Sequence, residues 1–154
     1  MADAFPCVTD LVPHRGKMLV IDTVKSWDGR VLVCEATVPG DSIFVDDSGQ
    51  TPAMLALEQM AQTCAAFMGL RAREDNEPVC IGYLLGCRSL ELLTDVFAVG
   101  DTLTITVEQV GALQTMASFD CRVTRSEQAV AAGVLNVMYA DTPVHQAERG
   151  GSQP

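Results

Sequence analysis

The fold is decided by residues 51–69, which read TPAMLALEQMAQTCAAFMG. Thr51 is a suitable N-cap and Pro52 suits the first helical position, so this stretch predicts a helix that begins here. Gly69 is a typical stop signal, although Leu70 can extend the helix a little. Nearly every side chain between these ends is apolar, and a helix that is apolar all round is buried on most sides.

This helix carries one ionisable side chain, Glu58, and Gln62 follows one turn later on the same face. A carboxylate in apolar surroundings is costly unless it is paired or protonated. Glu58 is therefore the first candidate for a functional residue. The alternative is a structural glutamate that is hydrogen-bonded to Gln62 or paired with an arginine across a subunit interface.

The composition of the 154-residue chain favours one globular domain, which we expect over residues 1–140, followed by a flexible polar tail over residues 141–154. A hydrophobic fraction of 48% argues against disorder. The start of the chain shows no signal-peptide pattern, and we expect a cytoplasmic protein without a membrane span. The net charge of −10 argues against a nucleic-acid partner.

The six cysteines show neither a CxxC motif nor a spacing with histidine that is typical of metal sites. Most of them stand in apolar segments, which favours buried free thiols over disulfides. We therefore expect no metal site.

The sequence around the helix is typical of β-strands. A hairpin turn at residues 27–30 contains Asp28-Gly29, which suits the positive φ angles of tight turns. Strands are predicted at residues 18–25, 31–38, 80–93, 102–110, 116–124 and 129–139. This order predicts an α+β fold in which an antiparallel sheet of about five to six strands wraps round one long central helix.

Three motifs in this order resemble the hot-dog fold of the 3-hydroxyacyl-carrier-protein dehydratases. Residues 12–22, VPHRGKMLVID, match the family's opening Leu-Pro-His-Arg motif and the apolar strand that follows it. Residues 52–62, PAMLALEQMAQ, match its helix motif with an acidic residue and Ala-Gln. Residues 99–101, VGD, resemble its Pro-Gly-Asp turn.

One departure from the family pattern bears on function. In the fatty-acid dehydratases a base histidine precedes a phenylalanine in the loop before the helix, whereas this chain has Ile43 before Phe44. With the retained Pro-His-Arg motif, this departure makes the sequence most similar to the ApeP-like group. That group consists of hot-dog proteins of aryl-polyene and related lipid pathways, which work beside a second hot-dog dehydratase.

The resemblance implies a lyase that dehydrates 3-hydroxyacyl thioesters on acyl-carrier protein to trans-2-enoyl thioesters. It implies no bound cofactor, because the substrate is carried on the phosphopantetheine of the carrier. Two alternatives stay open: a hot-dog acyl-thioesterase, and a non-catalytic partner subunit of a heteromeric dehydratase. We expect a homodimer, or a heterodimer with a second hot-dog dehydratase, because a curled antiparallel sheet leaves its edge strands unpaired.

Dehydration needs a base, an acid and donors to the thioester carbonyl. The chain has two histidines, and His145 lies in the polar tail, so His14 is the candidate base and Glu58 the candidate acid. The alternative for His14 is a turn residue that is fixed by backbone hydrogen bonds. The candidate substrate-binding residues are Pro13 at the mouth of the acyl channel, Gln62, and the amides of Ala53 and Met54 at the helix start.

Five of the ten lysines and arginines are candidates for contact with the carrier's phosphate. They are Arg15, Lys17, Arg71, Arg73 and Arg88. A solvated surface explains these residues equally well, and binding of an acidic carrier requires them to lie in one patch.

Overall fold

The computed structural model describes residues 4–143, which form a six-stranded sheet, a two-stranded sheet and one long helix. The elements in chain order are a 3₁₀ turn at Val8–Asp10, a second at Gly16–Met18, β1 Thr23–Trp27, β2 Val31–Thr37, β3 Gln50–Pro52, α1 Leu55–Glu74, β4 Cys80–Leu92, β5 Val96–Ala98, β6 Thr102–Leu113, β7 Met116–Arg125 and β8 Gln128–Pro143. The main sheet is antiparallel, with the strand order β1-β2-β6-β7-β8-β4. The predicted hot-dog fold is confirmed.

The central helix begins later than predicted. Its N-cap residue is Met54, which forms no side-chain capping bond, and the helix runs to Glu74. The N-cap prediction for Thr51 is wrong because Thr51 lies in β3, where it pairs with Phe97 of β5. Pro52 ends the same short strand.

The core lies between one face of α1 and the concave face of the sheet. Phe67 is fully buried at its centre, with its ring centroid 4.7 Å from that of Trp27 and 4.9 Å from that of Phe119, both edge to face. The Arg71 guanidinium lies 5.5 Å from the Phe67 centroid and donates a hydrogen bond to the Gly29 carbonyl. These contacts hold the last turns of the helix against the β1–β2 hairpin.

The segment before β1 packs closely on the helix. A Cβ atom at Gly69 would lie 2.8 Å from the carbonyl oxygen of Leu11, so only glycine allows this approach. The strand predicted from residue 18 starts at Thr23 instead, because Gly16–Met18 forms a 3₁₀ turn. This arrangement brings the Pro-His-Arg loop alongside α1.

Strand β4 is one edge of the main sheet. It pairs with β8 on one side only, and three bulges interrupt its register. Its exposed apolar side chains include Tyr83, Leu84 and Leu85. A long edge strand with exposed apolar side chains is typical of a surface that pairs with another sheet.

The remaining sequence predictions can be located on the structure. The cysteines from Cys7 to Cys121 are free; Cys34, Cys64 and Cys121 are buried, whereas Cys7 is exposed. Strand β8 reaches Pro143, and the rest of the predicted tail lies outside the described residues. Within residues 4–143 no helix is long and apolar enough to cross a membrane.

Candidate active site

The two candidate catalytic residues lie side by side. His14 Nε2 is 3.6 Å from Glu58 Oε1, slightly longer than a hydrogen bond. Their side chains are 30% and 40% exposed, so both reach solvent and a ligand. The expectation that Glu58 is enclosed on most sides is therefore wrong, because the face of α1 that carries it points away from the core.

The loop that carries His14 is fixed by the next residue. The Arg15 guanidinium donates hydrogen bonds to the carbonyl oxygens of Val12 and His14, each at 2.7 Å. It also donates to the Thr9 carbonyl at 2.9 Å. These hydrogen bonds fix the conformation of the loop and position the His14 backbone, which gives Arg15 a structural role in this chain.

His14 sits in partly buried surroundings. Desolvation lowers the pKa of His14; the charge of Glu58 opposes this shift, and the charge of Arg15 adds to it. His14 Nδ1 is buried and has no hydrogen-bond partner among the described residues. A neutral imidazole is the form that a general base requires.

Gln62 connects Glu58 with the segment that follows His14. Its Nε2 donates to Glu58 Oε1 at 3.0 Å and to the Met18 carbonyl at 2.8 Å. Its Oε1 accepts a hydrogen bond from the Val20 amide at 2.9 Å. Because these three bonds occupy its carboxamide, Gln62 positions Glu58 and has little capacity left for a substrate.

A cleft of about 200 Å³ lies beside the pair, between α1 and the β4–β8 edge. Besides His14 and Glu58, it is lined by Ala61, Cys64, Ala65, Met68, Gly82, Tyr83, Leu84, Val137 and Tyr139. Its surroundings are mainly apolar, which suits an acyl chain. The helix spacing offered a signal, since residues 58, 61, 65 and 68 share one face, but an apolar side chain such as Met68 is equally typical of a core.

The other predicted substrate-binding residues do not line this cleft. Pro13 is half-buried next to His14. The Ala53 amide donates to the Asp95 carbonyl at 2.9 Å, so the prediction that it is free to bind a thioester is wrong. Met54 is 51% exposed and stands at the helix start, where the positive end of the helix dipole lies.

The loop before the helix carries Ile43 at the position where the fatty-acid dehydratases have a histidine. Ile43 is exposed, and Phe44 packs against the core. Since residue 43 is not a histidine, His14 is the only histidine that the described residues place beside Glu58.

We compared the chain with proteins of known structure. It is similar to the dehydratase heterocomplex ApeI:P from Xenorhabdus doucetiae, with 23% identity, a TM-score of 0.85, and coverage of 97% of this chain and 99% of that chain. A hypothetical thioesterase with coenzyme A from Streptococcus pneumoniae TIGR4 gives 16% identity, a TM-score of 0.61, and coverage of 78% and 86%. The PaaI protein of E. coli, from the phenylacetic acid degradation operon, gives 15% identity, a TM-score of 0.60, and coverage of 75% of this chain and 80% of that chain. At these identities the likenesses show the fold.

The assignment to a family comes from the sequence. A comparison with curated proteins gave no match. The sequence profile of the ApeP-like family, described as ApeP dehydratase, matches residues 6–148, which is nearly the whole chain. The chain therefore belongs to the ApeP-like dehydratase family.

Proposed function

We propose that the protein dehydrates 3-hydroxyacyl thioesters, carried on the phosphopantetheine of acyl-carrier protein, to trans-2-enoyl thioesters. The observation that carries this proposal is the His14–Glu58 pair in an apolar cleft of a dehydratase-family chain. A base and an acid 3.6 Å apart suit a reaction that removes one proton and delivers another.

The reaction balances with one proton held by the pair. Neutral His14 takes the proton α to the thioester carbonyl, and the electron pair forms the new carbon–carbon double bond. For this step Glu58 must hold a proton, which it gives to the leaving hydroxyl; the hydroxyl departs as water. The proton on His14 then returns to Glu58 over the short distance between them, and the pair is restored.

The carbonyl of the substrate also needs hydrogen-bond donors. The Met54 amide remains a candidate, whereas the Ala53 amide is occupied. Met54 does not line the cleft, so we infer that a second hot-dog subunit adds donors to the same site. Edge strand β4 supports this inference. Its residues Gly82, Tyr83 and Leu84 line the cleft, and its other side has no strand partner within the described residues, so a second subunit can pair there.

We propose a second hot-dog dehydratase as the preferred partner, which makes the active unit a heterodimer. The absence of histidine before Phe44 supports this choice, because a partner that carries such a histidine brings a further base. The similar Xenorhabdus doucetiae structure is itself a heterocomplex. A homodimer through β4 is the alternative, and light scattering coupled to gel filtration, with and without the partner, distinguishes the two.

The positions of the candidate cations limit how a carrier protein docks. Arg15 and Arg71 bind backbone carbonyl oxygens, and Lys17, Arg73 and Arg88 remain as candidates for the carrier's phosphate. The net charge of −10 repels an acidic carrier, so we expect carrier binding to depend on these few cations and to weaken when they are neutralised.

The experiment that tests this function follows two products at once. The protein is given 3-hydroxyacyl-carrier protein, alone and with a second hot-dog dehydratase, and the mass of the carrier and the free thiol are recorded. Loss of water confirms a dehydratase, and thiol release indicates a thioesterase. If only the partner's catalytic residues are needed for water loss, this chain is a non-catalytic subunit and the proposed roles of His14 and Glu58 are wrong.

A further inference from the structure

The cleft beside His14 and Glu58 adjoins a second cavity, of about 380 Å³, that continues along α1. Met68 and Tyr139 line both, so these two side chains separate the cleft from the second cavity. Met68 follows Glu58 by ten positions, which is about 15 Å along the helix axis. The separation therefore lies at the end of the cleft that is far from the reacting pair.

The walls of the cleft indicate which part of a substrate lies against Met68. The helix presents Ala61 and Ala65, and the strands opposite present Leu84 and Val137. These apolar walls suit an alkyl or aryl tail better than a pantetheine arm, whose amide groups need hydrogen bonds. The acyl tail therefore runs from the reacting carbon atoms towards Met68. This orientation rests on the proposed function, which places those carbon atoms at the proton-transferring pair.

The two separating side chains differ in how they are held. The Tyr139 hydroxyl donates a hydrogen bond to the Gln114 carbonyl at 2.8 Å, and the Tyr139 amide donates to the Thr115 carbonyl at 3.0 Å. Met68 is half-buried and carries an unbranched thioether, a side chain that fills irregular gaps in apolar surroundings. Tyr139 is therefore a fixed wall, and the length of the Met68 side chain decides whether the cleft opens into the second cavity.

The second cavity is apolar next to Met68 and polar further on. Its apolar lining residues include Phe67, Ala72, Ala112 and Ala140, and its polar ones are Arg71, Asp75, Glu77 and Gln109. Ala72 stands one turn after Met68, and the neighbouring Arg71 already binds the Gly29 carbonyl. The exposed Asp75 stands about 10 Å beyond Met68 along the helix axis. An apolar tail that passes Met68 therefore finds room for only a few more carbon atoms.

We propose that Met68 limits the length of the acyl chain that this protein accepts. A tail that ends before Met68 fits the cleft, whereas a longer tail meets the thioether and buries no further surface. Met68 thus selects short and medium-length acyl chains and takes no part in proton transfer.

Probes that cannot react test this inference on the whole chain. They are pantetheine thioethers with straight alkyl tails of increasing length, titrated into ¹⁵N-labelled protein with and without its unlabelled partner. Each buried CH₂ group should tighten binding about fourfold, until the tail reaches Met68 and the affinity levels off. At that length the amide shifts should reach Met68 and stop there. A wild-type affinity that keeps rising while the Ala72 amide shifts overturns the inference.

The variant Met68→Ala removes three heavy atoms and opens the way to the second cavity. We expect the rise in affinity to continue for about three more carbon atoms, so the longest of these tails binds roughly 60-fold more tightly than to wild type. The amides of Ala72 and Ala112 should shift with these tails. An unchanged length limit overturns the inference. Shifts at Ala72 with pantetheine that carries no tail also overturn it, because they mean that the pantetheine arm passes Met68.

Two further variants serve as controls. Ala72→Leu fills the second cavity, so adding it to Met68→Ala should restore the wild-type length limit. Met116→Ala makes the same substitution at an exposed residue that lines neither cavity, and it should leave the limit unchanged. An equal change of the limit in Met116→Ala and Met68→Ala overturns the inference.

The probes neither lose water nor release a thiol, so the length limit is measured independently of turnover. A failed turnover test contradicts the proposed function and leaves a measured limit at Met68 in place. An active enzyme whose limit does not change in Met68→Ala contradicts only the role of Met68. If Met68→Ala does not fold, the wild-type series still decides.

Discussion

The two faces of α1 have a similar apolar composition and different surroundings. One face, which includes Met60 and Phe67, is buried in the core of this chain. The other, the cleft face, carries Glu58, Ala65 and Met68, and it is only partly covered by the edge of the sheet. An apolar sequence therefore indicates that a helix face favours burial, but it does not show whether that face is buried by the same chain or by another molecule.

The largest expected effect concerns activity on the cleft face. His14→Ala and Glu58→Gln should each lower the turnover of 3-hydroxyacyl-carrier protein by about 10²- to 10⁴-fold, because each removes one proton-transfer group. Both side chains are partly exposed, so the free energy of unfolding should change by roughly 1 kcal/mol or less. Turnover is measured with the partner present, and thermal melting shows that each variant is folded.

The double variant sharpens this prediction. If the pair acts as a unit, its turnover is little lower than that of either single variant. Near-normal turnover of His14→Ala beside an inactive Glu58→Gln would show that the base comes from the partner subunit.

The buried face should show the opposite pattern, with a large loss of stability. Phe67→Ala removes a fully buried ring and its contacts with Trp27 and Phe119, which costs about 3–5 kcal/mol. Met68→Ala is the matched control on the cleft face, and we expect it to cost less than half as much. Urea unfolding of both variants measures the difference. Equal losses would break the comparison and show that the cleft face is covered in solution.

Much of the fold could be predicted because its signals are local. The Asp28-Gly29 turn joins β1 to β2, and Gly100 adopts a positive φ of 91° in the predicted turn before β6. The start of α1 could not be predicted, because pairing of Thr51 with Phe97 draws this residue into β3. That pairing depends on residues 46 positions apart, which no local propensity reports.

The site could be predicted in part. His14 and Glu58, selected as the candidate base and acid, lie next to each other, although 44 positions separate them in the sequence. The backbone contacts of Arg15 and Gln62 could not be predicted, since they depend on carbonyls and amides that only the fold brings near. The same holds for Gly82 and Tyr83, which reach the cleft through the position of β4 at the edge of the sheet.

A smaller effect compares the two glutamines of α1. Gln62→Met leaves the Val20 amide without its acceptor and releases Glu58, so we expect a loss of about 1–3 kcal/mol of stability. We also expect a lower kcat with little change in KM, because Gln62 acts through Glu58. Gln59→Met, the same substitution one turn earlier, should cause no loss of stability, because Gln59 Oε1 is buried and accepts no hydrogen bond from the described residues. A similar loss in both variants would show that polarity at these positions, and not the bonds of Gln62, is what matters.

The smallest expected effect is a dependence of stability on pH that comes from His14. Desolvation lowers the pKa of His14 from its ordinary value of 6.5, so the native state binds a proton less readily than the unfolded state. The free energy of unfolding therefore falls as pH drops through 6.5 towards the lowered pKa, and His14 contributes no such loss at higher pH.

Comparison with His14→Gln isolates this contribution, because His145 and the carboxylates are present in both proteins. Urea unfolding at a series of pH values should show wild type losing stability relative to the variant as pH falls below 6.5. The opposite slope, a relative gain on acidification, would mean that the charge of Glu58 outweighs desolvation and that His14 is protonated beside it. A protonated His14 accepts no proton from a substrate, so that slope would also contradict its role as base.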